Sequence, residues 1–172
     1  TRMETLVQNP NVFIRPSASG DNLGGVAKKT RESILLCEAA GFDVILVETV
    51  GVGQSETAVH SMVDFFLLLQ LAGAGDELQG IKRGIMEMCD AIIINKADGD
   101  NVKWAQLAKQ NYENALHLYA EKINNWQPKV LTCSAIEKTG IENIWDMIQS
   151  YVLLTQSNQS FDDKRNNQEE YW

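Results

Sequence analysis

The sequence predicts an α/β domain whose mostly parallel sheet is covered by helices on both sides. Short β-branched apolar runs alternate along the chain with segments of helical periodicity. The runs are apolar at consecutive positions, which is typical of parallel strands buried on both faces. The 172 residues suffice for one such domain and are too few for us to expect two. Ligands of such sheets bind beyond the carboxyl ends of the strands, so the strand exits are the places to search for function.

Five apolar runs have the length of strands. Pro16 stops the first run, because proline has no N–H for a ladder hydrogen bond. The other runs lead into glycine-rich or polar loops, as strands of a parallel sheet do before each crossover helix. The predicted strands are Asn11–Arg15, Asp43–Val47, the apolar run Asp64–Leu71, Ala91–Ile94 and Lys129–Thr132.

Apolar residues spaced three and four apart predict helices between and after these strands. Gly41 stands where the C-terminal cap of the first helix belongs. The predicted helices are Val26–Ala40, one that begins at Ser55, one marked by Ile81, Ile85 and Met88, Val102–Asn125, and Ile141–Leu154. After Thr155 the sequence becomes polar, and we expect this tail to be mobile or to dock onto a body outside the chain.

The charge balance excludes some classes of partner. The chain has 15 Lys and Arg against 23 Asp and Glu, which gives a net charge of −8. A nucleic acid or an anionic membrane would be repelled on average, whereas a local site for a small, metal-neutralised anion stays open. The most apolar run, Met62–Gly73, is too short for a membrane span of about 20 residues. We expect Cys37, Cys89 and Cys133 to be reduced thiols of a cytoplasmic protein.

The first strand exit with unusual chemistry is Asn95-Lys96-Ala97-Asp98. The Asp98 carboxylate can accept two parallel hydrogen bonds from the N1–H and N2–H₂ groups of guanine, and adenine has no such donor pair. A carboxylate left unsatisfied costs about 1–3 kcal/mol, enough for about tenfold discrimination against ATP. Asn95 would tie the loop down, and the methylene stem of Lys96 would lie along the base. The alternative is a solvated turn, since Asp98-Gly99-Asp100 is good turn chemistry by itself.

The second exit is Ser134-Ala135, followed by Ile136, after the last predicted strand. A small, tight loop lets backbone N–H groups approach a ligand, and one of them can donate to guanine O6. The alternative is that Ser134 caps a turn. The donors of this loop complement the acceptor of the first loop, so we expect Asp98 and Ser134 to converge on one base. Residues 134–136 would then close over it.

The third exit is Glu48-Thr49-Val50-Gly51. An acidic residue at the end of an apolar strand is costly to bury without a partner. A magnesium ion bridged to a triphosphate is one such partner, directly or through water. Gly51 permits its N–H to approach a γ-phosphate, and Gln54 is a candidate for orienting the attacking water. The alternative for Glu48 is an ion pair with Lys28, Lys29 or Arg31.

Longer strings around these exits are far more specific than the short motifs. They are FIRPS (Phe13–Ser17), LGGVAKKTRE (Leu23–Glu32), VETVGVGQSE (Val47–Glu56), GAGDELQGIKRGIME (Gly73–Glu87), NKADGD (Asn95–Asp100) and LTCSA (Leu131–Ala135). They resemble the MeaB/ArgK family of P-loop GTPases, and the likeness extends over the whole chain. This family includes the methylmalonyl-CoA mutase-associated GTPases and proteins once named lysine/arginine/ornithine (LAO/AO) transport-system kinases.

The resemblance implies a three-layer P-loop NTPase fold and a regulatory GTPase that uses GTP, GDP and Mg²⁺. It implies that this GTPase assists an adenosylcobalamin-dependent acyl-CoA mutase such as methylmalonyl-CoA mutase, and that it is a homodimer with C-terminal helical arms. In such proteins the segment Gly73–Gly84 behaves as an additional switch that contacts the mutase. Its polar contacts here would be Asp76, Glu77, Gln79 and Lys82. By composition alone, the same segment is a flexible connection whose acidic residues cap the next helix.

One departure from the family matters: the phosphate-binding string GxxxxGK[ST] occurs nowhere in the 172 residues. We therefore expect a longer parent protein to be the GTPase, and this chain, lacking the N-terminal strand and P-loop, to be inactive by itself. Residues 1–155 would be a partial GTPase domain, and residues 156–172 the start of a helical dimerisation arm or a mobile tail. The older family name leaves a second hypothesis, an ATPase or kinase associated with lysine/arginine/ornithine transport.

Overall fold

The structure is a computed structural model that describes residues 3, 6–16, 23–49, 56–72, 83–119 and 124–172. The chain divides into two compact units, Thr1–Val50 and Gly51–Trp172. In the described part of the chain, no helix has the length and apolar character needed to cross a membrane.

The first unit contains helix α1, Leu23–Ala39. It ends in a Schellman motif, in which Phe42 N–H donates to Cys37 O (3.1 Å) and Gly41 N–H donates to Glu38 O (3.0 Å). Gly41 has a φ of +87°, a left-handed conformation that glycine adopts without steric cost. The predicted C-terminal cap is therefore confirmed, and α1 starts a few residues before the predicted beginning.

Two predicted strands of this unit, Asn11–Arg15 and Asp43–Val47, are wrong. Their described residues form no ladder of hydrogen bonds, and Leu46 is 88% exposed. Both segments have the apolar pattern of a buried strand, but a strand also needs a neighbouring strand to satisfy its backbone groups. No strand pairs with either segment in the described part of the chain. Phe13 instead lies near Phe42, with ring centroids 6.4 Å apart.

The second unit is built on a parallel sheet of three strands in the order β1-β2-β3. The strands are β1 Leu67–Leu71, β2 Ala91–Asn95 and β3 Lys129–Thr132. Leu69, Ile93 and Leu131 lie side by side in the register across the sheet. These strands confirm the predictions for this unit, although β1 begins at Leu67 rather than at Asp64.

The helices of this unit confirm most of the predicted elements and correct one. They are α2 Glu56–His60, α3 Arg83–Met88, α4 Val102–Leu116, α5 Ile141–Ser157 and α6 Ser160–Tyr171, with a 3₁₀ helix at Gly99–Asn101. The predicted helix Val102–Asn125 ends early at Leu116. Turn-type bonds close its end, among them Leu118 N–H to Ala115 O, and Leu118 is 86% exposed. Tyr119 of the predicted stripe still packs against the core, but from a turn rather than from the helix.

Helices cover both faces of this sheet, which gives the predicted three layers. On one face, Ile92 and Ile94 pack with buried residues of α3 and α4, including Tyr112. On the other face, Ala91 and Ile93 pack with Trp126 and with Met147 and Tyr151 of α5. The residues of β2 from Ala91 to Ile94 are fully buried, as expected for a central parallel strand.

The polar tail forms α6 and docks on the connection between α2 and β1. Arg165 donates from Nε and Nη2 to the two carboxylate oxygens of Asp64 at 2.8 and 2.6 Å. Gln168 Nε2 donates to Val63 O (3.0 Å) and Trp172 Nε1 to Ser61 O (3.1 Å). Within this chain the tail is therefore helical and bonded to residues 61–64, while its role as a dimerisation arm stays a prediction. Its polar side chains find their acceptors about 100 residues earlier in the same chain, a pairing that sequence composition does not reveal.

Candidate functional site

The candidate site lies at the carboxyl ends of β2 and β3. Because these strands are parallel neighbours, their exit loops emerge side by side. The loops are also joined by the backbone, since Ala97 N–H donates to Cys133 O at 2.9 Å. Cys133 N–H donates in turn to Ile94 O at 2.9 Å, which extends the ladder beyond β3. The two loops are therefore held together as one surface.

Asp98 and Ser134 meet at this surface. Ser134 Oγ donates a short hydrogen bond to Asp98 Oδ2 and accepts one from Glu137 N–H at 3.1 Å. The Ser134 side chain is fully buried, whereas Asp98 is half-buried. An ionised carboxylate has about four acceptor positions, and Ser134 uses one of them. Asp98 therefore keeps acceptor capacity for donors that arrive from outside the protein.

The alternative interpretations of these two residues as simple caps do not describe their contacts fully. Asp98 stands at the N-cap of the 3₁₀ helix Gly99–Asn101 but makes no capping hydrogen bond with its side chain. Ser134 Oγ does accept from the turn at Glu137, and it also joins the neighbouring loop. The predicted convergence of the two turns is confirmed by this contact, while their role in reading a base stays a prediction.

Asn95 holds the first loop from the inside. Its Oδ1 accepts from Lys96 N–H at 2.7 Å and from the Cys133 thiol at 3.5 Å. Burial raises the pKa of the Cys133 thiol, so the sulfur keeps the proton that it donates. Lys96 is exposed and has a φ of +59°, so it turns the chain through a left-handed conformation just after β2.

The second loop is closed by a small antiparallel bridge between Ser134 and Thr139. Ser134 N–H donates to Thr139 O at 3.0 Å, and Thr139 N–H donates back to Ser134 O at 3.2 Å. Gly140 follows with a φ of +75°, and a Cβ there would overlap Thr132 O. This turn leaves Ala135 and Ile136 on the surface, with Ile136 83% exposed.

Glu48 belongs to the first unit and is exposed. In the described part of the chain, no ion pair joins it to Lys28, Lys29 or Arg31, so the structural alternative for this residue is not found. Nor do the described residues contain a group of three or more His, Cys, Asp or Glu that would hold a metal ion. The other predicted site residues lie outside the described residues; they are Gly51, Gln54, Asp76, Glu77, Gln79 and Lys82.

Sequence reasoning missed two residues that shape this surface, Asn101 and Gly140. Asn101 donates from Nδ2 to Lys96 O at 2.8 Å. Asn101 lies between a turn sequence and a helix, which is a normal signal for an N-cap. This signal accounts for the residue type, but it does not predict the hydrogen bond to Lys96. Gly140 lies directly before α5. A glycine at such a position indicates an unusual backbone conformation, but it does not indicate which neighbouring atoms lie close to that backbone.

The fold and the site together define a class of protein. A three-layer domain with a parallel sheet, and with a carboxylate and a serine meeting at the strand ends, has the architecture of a P-loop NTPase-like domain. The family described as "Methylmalonyl Co-A mutase-associated GTPase MeaB" matches residues 1–172. The chain belongs to this family.

Individual relatives agree with this assignment. The chain is 57% identical over 148 residues to GTPase ArgK of Escherichia coli, covering 86% of the chain and 45% of that protein. It is 51% identical over its whole length to a putative GTPase of Caulobacter vibrioides, covering 52% of that protein. It is 45% identical, again over its whole length, to the mitochondrial methylmalonic aciduria type A homolog of Mus musculus, covering 41% of it.

A solved structure supports the fold. The crystal structure of an LAO/AO transport system kinase superposes with a TM-score of 0.88 at 47% sequence identity. The match covers 98% of this chain and 52% of that one. The chain therefore spans about half the length of the relatives that it matches.

Proposed function

We propose that this chain is the base-reading part of a protein that binds and hydrolyses GTP and thereby regulates a partner enzyme. The observation that carries the proposal is the contact between Ser134 Oγ and Asp98 Oδ2, which fixes a carboxylate at the strand ends. Membership of a family of GTPases supports it. Cytoplasmic localisation follows as part of the same proposal.

Asp98 would read the base through its remaining acceptor positions. Guanine presents N1–H and N2–H₂ to such a carboxylate, and adenine does not. Ser134 N–H already donates to Thr139 O, so the backbone donor to guanine O6 would come from Ala135 or Ile136. The stem of Lys96 would lie along the base, with Asn95 holding the loop beneath it.

The phosphate end of the nucleotide would be served by other residues. We propose that Glu48 supports Mg²⁺ directly or through water, that Gly51 N–H approaches the γ-phosphate and that Gln54 orients the attacking water. Among the described residues, Glu48 belongs to no group of three or more His, Cys, Asp or Glu that would hold a metal ion. We therefore assign no step of the reaction to this ion.

The parent GTPase is proposed to contain more sheet than this chain does. β1 pairs with β2 on one side, and no strand among the described residues pairs on its other side. Leu69 and Leu71 on this edge strand are 59% and 43% exposed, which a further strand and its helix would cover. This supports residues 1–155 as part of a larger GTPase domain, with residues 156–172 beginning a C-terminal helical arm.

The partner we propose is a cobalamin-dependent acyl-CoA mutase, such as methylmalonyl-CoA mutase. The name of the family includes association with methylmalonyl-CoA mutase, which supports this choice. The segment Gly73–Gly84 would carry the signal, with Asp76, Glu77, Gln79 and Lys82 as its polar contacts. The active protein would be a homodimer joined through its C-terminal arms.

The base-reading step is tested by Asp98→Asn in a longer protein that carries a phosphate-binding loop. An amide cannot accept the donor pair of guanine in the same way, so we expect the preference for GTP over ATP to fall by about tenfold or more. Dissociation constants for both nucleotides are the measurement. Asp100→Asn is the matched control, since it removes an exposed carboxylate from the same turn. An unchanged preference in Asp98→Asn would remove the base-reading role.

The regulatory step is tested by calorimetry of the same protein with the mutase. We expect the mutase to bind with different affinities when the protein holds GTP and when it holds GDP, because a switch acts through the difference between two states. Equal affinities in the two nucleotide states would contradict regulation. Binding that needs no nucleotide at all would indicate a non-catalytic interaction module.

A second candidate function is a kinase or ATPase associated with lysine/arginine/ornithine transport. It is favoured by the likeness to a structure titled LAO/AO transport system kinase. GTP or ATP labelled at the γ-phosphate distinguishes the two candidates. Label transferred to a purified amino-acid-binding protein supports the kinase, and label released only as free phosphate supports the GTPase.

A further inference from the structure

The backbone at Lys96 adopts a conformation that non-glycine residues rarely take. Its φ of +59° lies in the left-handed region, where the Cβ of an L residue crowds the backbone. Such a conformation persists only when the surroundings hold it in place. Lys96 also lies within the candidate site, between the end of β2 and Asp98.

Two asparagine side chains hold both backbone polar groups of Lys96. Its N–H donates to Asn95 Oδ1 at 2.7 Å, and its carbonyl oxygen accepts from Asn101 Nδ2 at 2.8 Å. Asn101 N–H also donates to Asp98 O at 3.0 Å. Asn101 therefore contacts the loop at both ends of the segment Lys96–Asp98.

The side chain of Asn101 bonds Lys96 and does not cap the helix that follows. It stands at the N-cap of α4, where an asparagine side chain normally accepts from an N–H of the first helical turn. Here its side chain makes no capping hydrogen bond and reaches back to Lys96. Because the 3₁₀ helix Gly99–Asn101 runs directly into α4, Asn101 has helical backbone angles (φ −85°, ψ −8°), and its Nδ2 group bonds the turn that contains Lys96.

We propose that Asn101 is a positioning residue for base recognition. It keeps Lys96 in the left-handed conformation, so that Asp98 leaves the turn with its carboxylate against Ser134 and its other acceptor positions directed at the base. Asn101 itself does not touch the nucleotide. This inference rests on the proposed function, because it takes Asp98 as the group that reads the base.

The selectivity test compares GTP with ITP, the analogue that lacks the 2-amino group. It uses Asn101→Ala in a longer protein with a phosphate-binding loop, with Asn111→Ala as the control on an exposed position of the same helix. A displaced Asp98 weakens two hydrogen bonds to guanine but only one to hypoxanthine. We therefore expect the ratio of GTP affinity to ITP affinity to fall about three- to tenfold in Asn101→Ala and to stay unchanged in the control. Equal losses for both nucleotides would overturn the positioning role.

A thermal unfolding cycle tests the link to Lys96 without any nucleotide. Glycine adopts left-handed backbone at no steric cost, so Lys96→Gly removes the strain that Asn101 is proposed to hold. With lysine at residue 96, loss of Asn101 lets the turn relax, and the strain that is recovered offsets part of the lost hydrogen bond; with glycine there is no strain to recover. We therefore expect Asn101→Ala to lower the melting temperature more when residue 96 is glycine than when it is lysine. An equal decrease in both backgrounds would show that Asn101 does not act through Lys96, which overturns the proposal.

The wild-type protein separates failure of this inference from failure of the proposed function. If it shows no preference for GTP over ATP, the proposed function is wrong and the positioning role falls with it. If it prefers GTP and Asn101→Ala keeps the wild-type ratio of GTP to ITP affinity, only the positioning role is overturned.

Discussion

Ser134 shows at the scale of one residue how a buried hydroxyl joins two loops. Each of its polar groups has a partner: the backbone groups bond Thr139, and the hydroxyl bonds Asp98 and Glu137. A fully buried hydroxyl without partners would cost free energy, so the position favours the arrangement that satisfies it. The site is therefore shaped before any ligand arrives, which reduces the cost of ordering it on binding.

Tyr151 gives the structure a predictable response to pH. Burial raises the pKa of Tyr151 well above its ordinary value, and the nearby Asp90 carboxylate adds to the shift. Its hydroxyl donates to Asp64 O at 3.0 Å, and donation requires the neutral phenol. The folded state therefore favours protonated Tyr151, and this contribution to stability is complete below the unfolded pKa of about 10.

We expect the free energy of unfolding to fall as the pH rises above about 10, because the unfolded chain releases this proton more easily. Tyr151→Phe should lose less stability than the wild type between about pH 9 and pH 11. Urea unfolding at a series of pH values measures the difference. Tyr171→Phe, at an exposed tyrosine, is the control and should follow the wild type. Parallel curves for Tyr151→Phe and the wild type would contradict the assignment.

At the scale of elements, α6 acts as a clamp on the connection between α2 and β1. Arg165 meets Asp64 through two hydrogen bonds and also lies 4.9 Å from the ring centre of Phe161. Gln168 and Trp172 bond the backbone of the same connection. Paired, two-point contacts between Arg and a carboxylate have defined geometry, so they orient the helix as well as attract it.

We expect Arg165→Ala to lower the free energy of unfolding by about 1–2 kcal/mol, because the pair is only partly buried and water screens it. Release of α6 should also speed proteolysis after its lysine residue, Lys164. Urea unfolding and limited trypsin digestion are the measurements. Asn166→Ala on the exposed face of α6 serves as the control. If both variants lose the same stability, Arg165 has no clamping role.

At the scale of the whole molecule, the chain contains the loops that we propose to read the base but lacks the string that cradles phosphates. GxxxxGK[ST] is absent from its 172 residues. In P-loop proteins the backbone N–H groups of that loop hold the phosphates, and its lysine neutralises them. The contacts that we propose between this chain and a nucleotide are therefore those to the base and weak ones to the terminal phosphate.

We therefore expect this chain alone to release no phosphate from GTP above the uncatalysed background, with Mg²⁺ present. A longer protein that contains both these residues and a phosphate-binding loop should release it steadily. A phosphate-release assay on the two proteins at equal concentration is the measurement. Steady release by the short chain, abolished by Glu48→Gln, would contradict the expectation and place the whole catalytic site within these residues.

Local sequence patterns were sufficient to predict many of the elements. The strands around Ile93 and Leu131, helix α5, the cap at Gly41 and the strand exits all follow from periodicity and residue type, because these act over a few neighbouring residues. The same patterns failed at Asp43–Val47. An apolar run describes what a strand needs on its faces and contains no information about whether a partner strand is present.

The sequence alone determined the order of the strands along the chain, the chemistry at their exits and the family. Only the tertiary structure decided which distant groups meet. Ser134 and Asp98 are 36 residues apart, and Arg165 and Asp64 are 101 residues apart. Such pairs depend on how strands and helices pack. The same amino-acid composition allows many different polar pairings, so composition does not predict which pairs form. For the same reason, the contact of Asn101 with Lys96 could be found only once the turn between them had taken its shape.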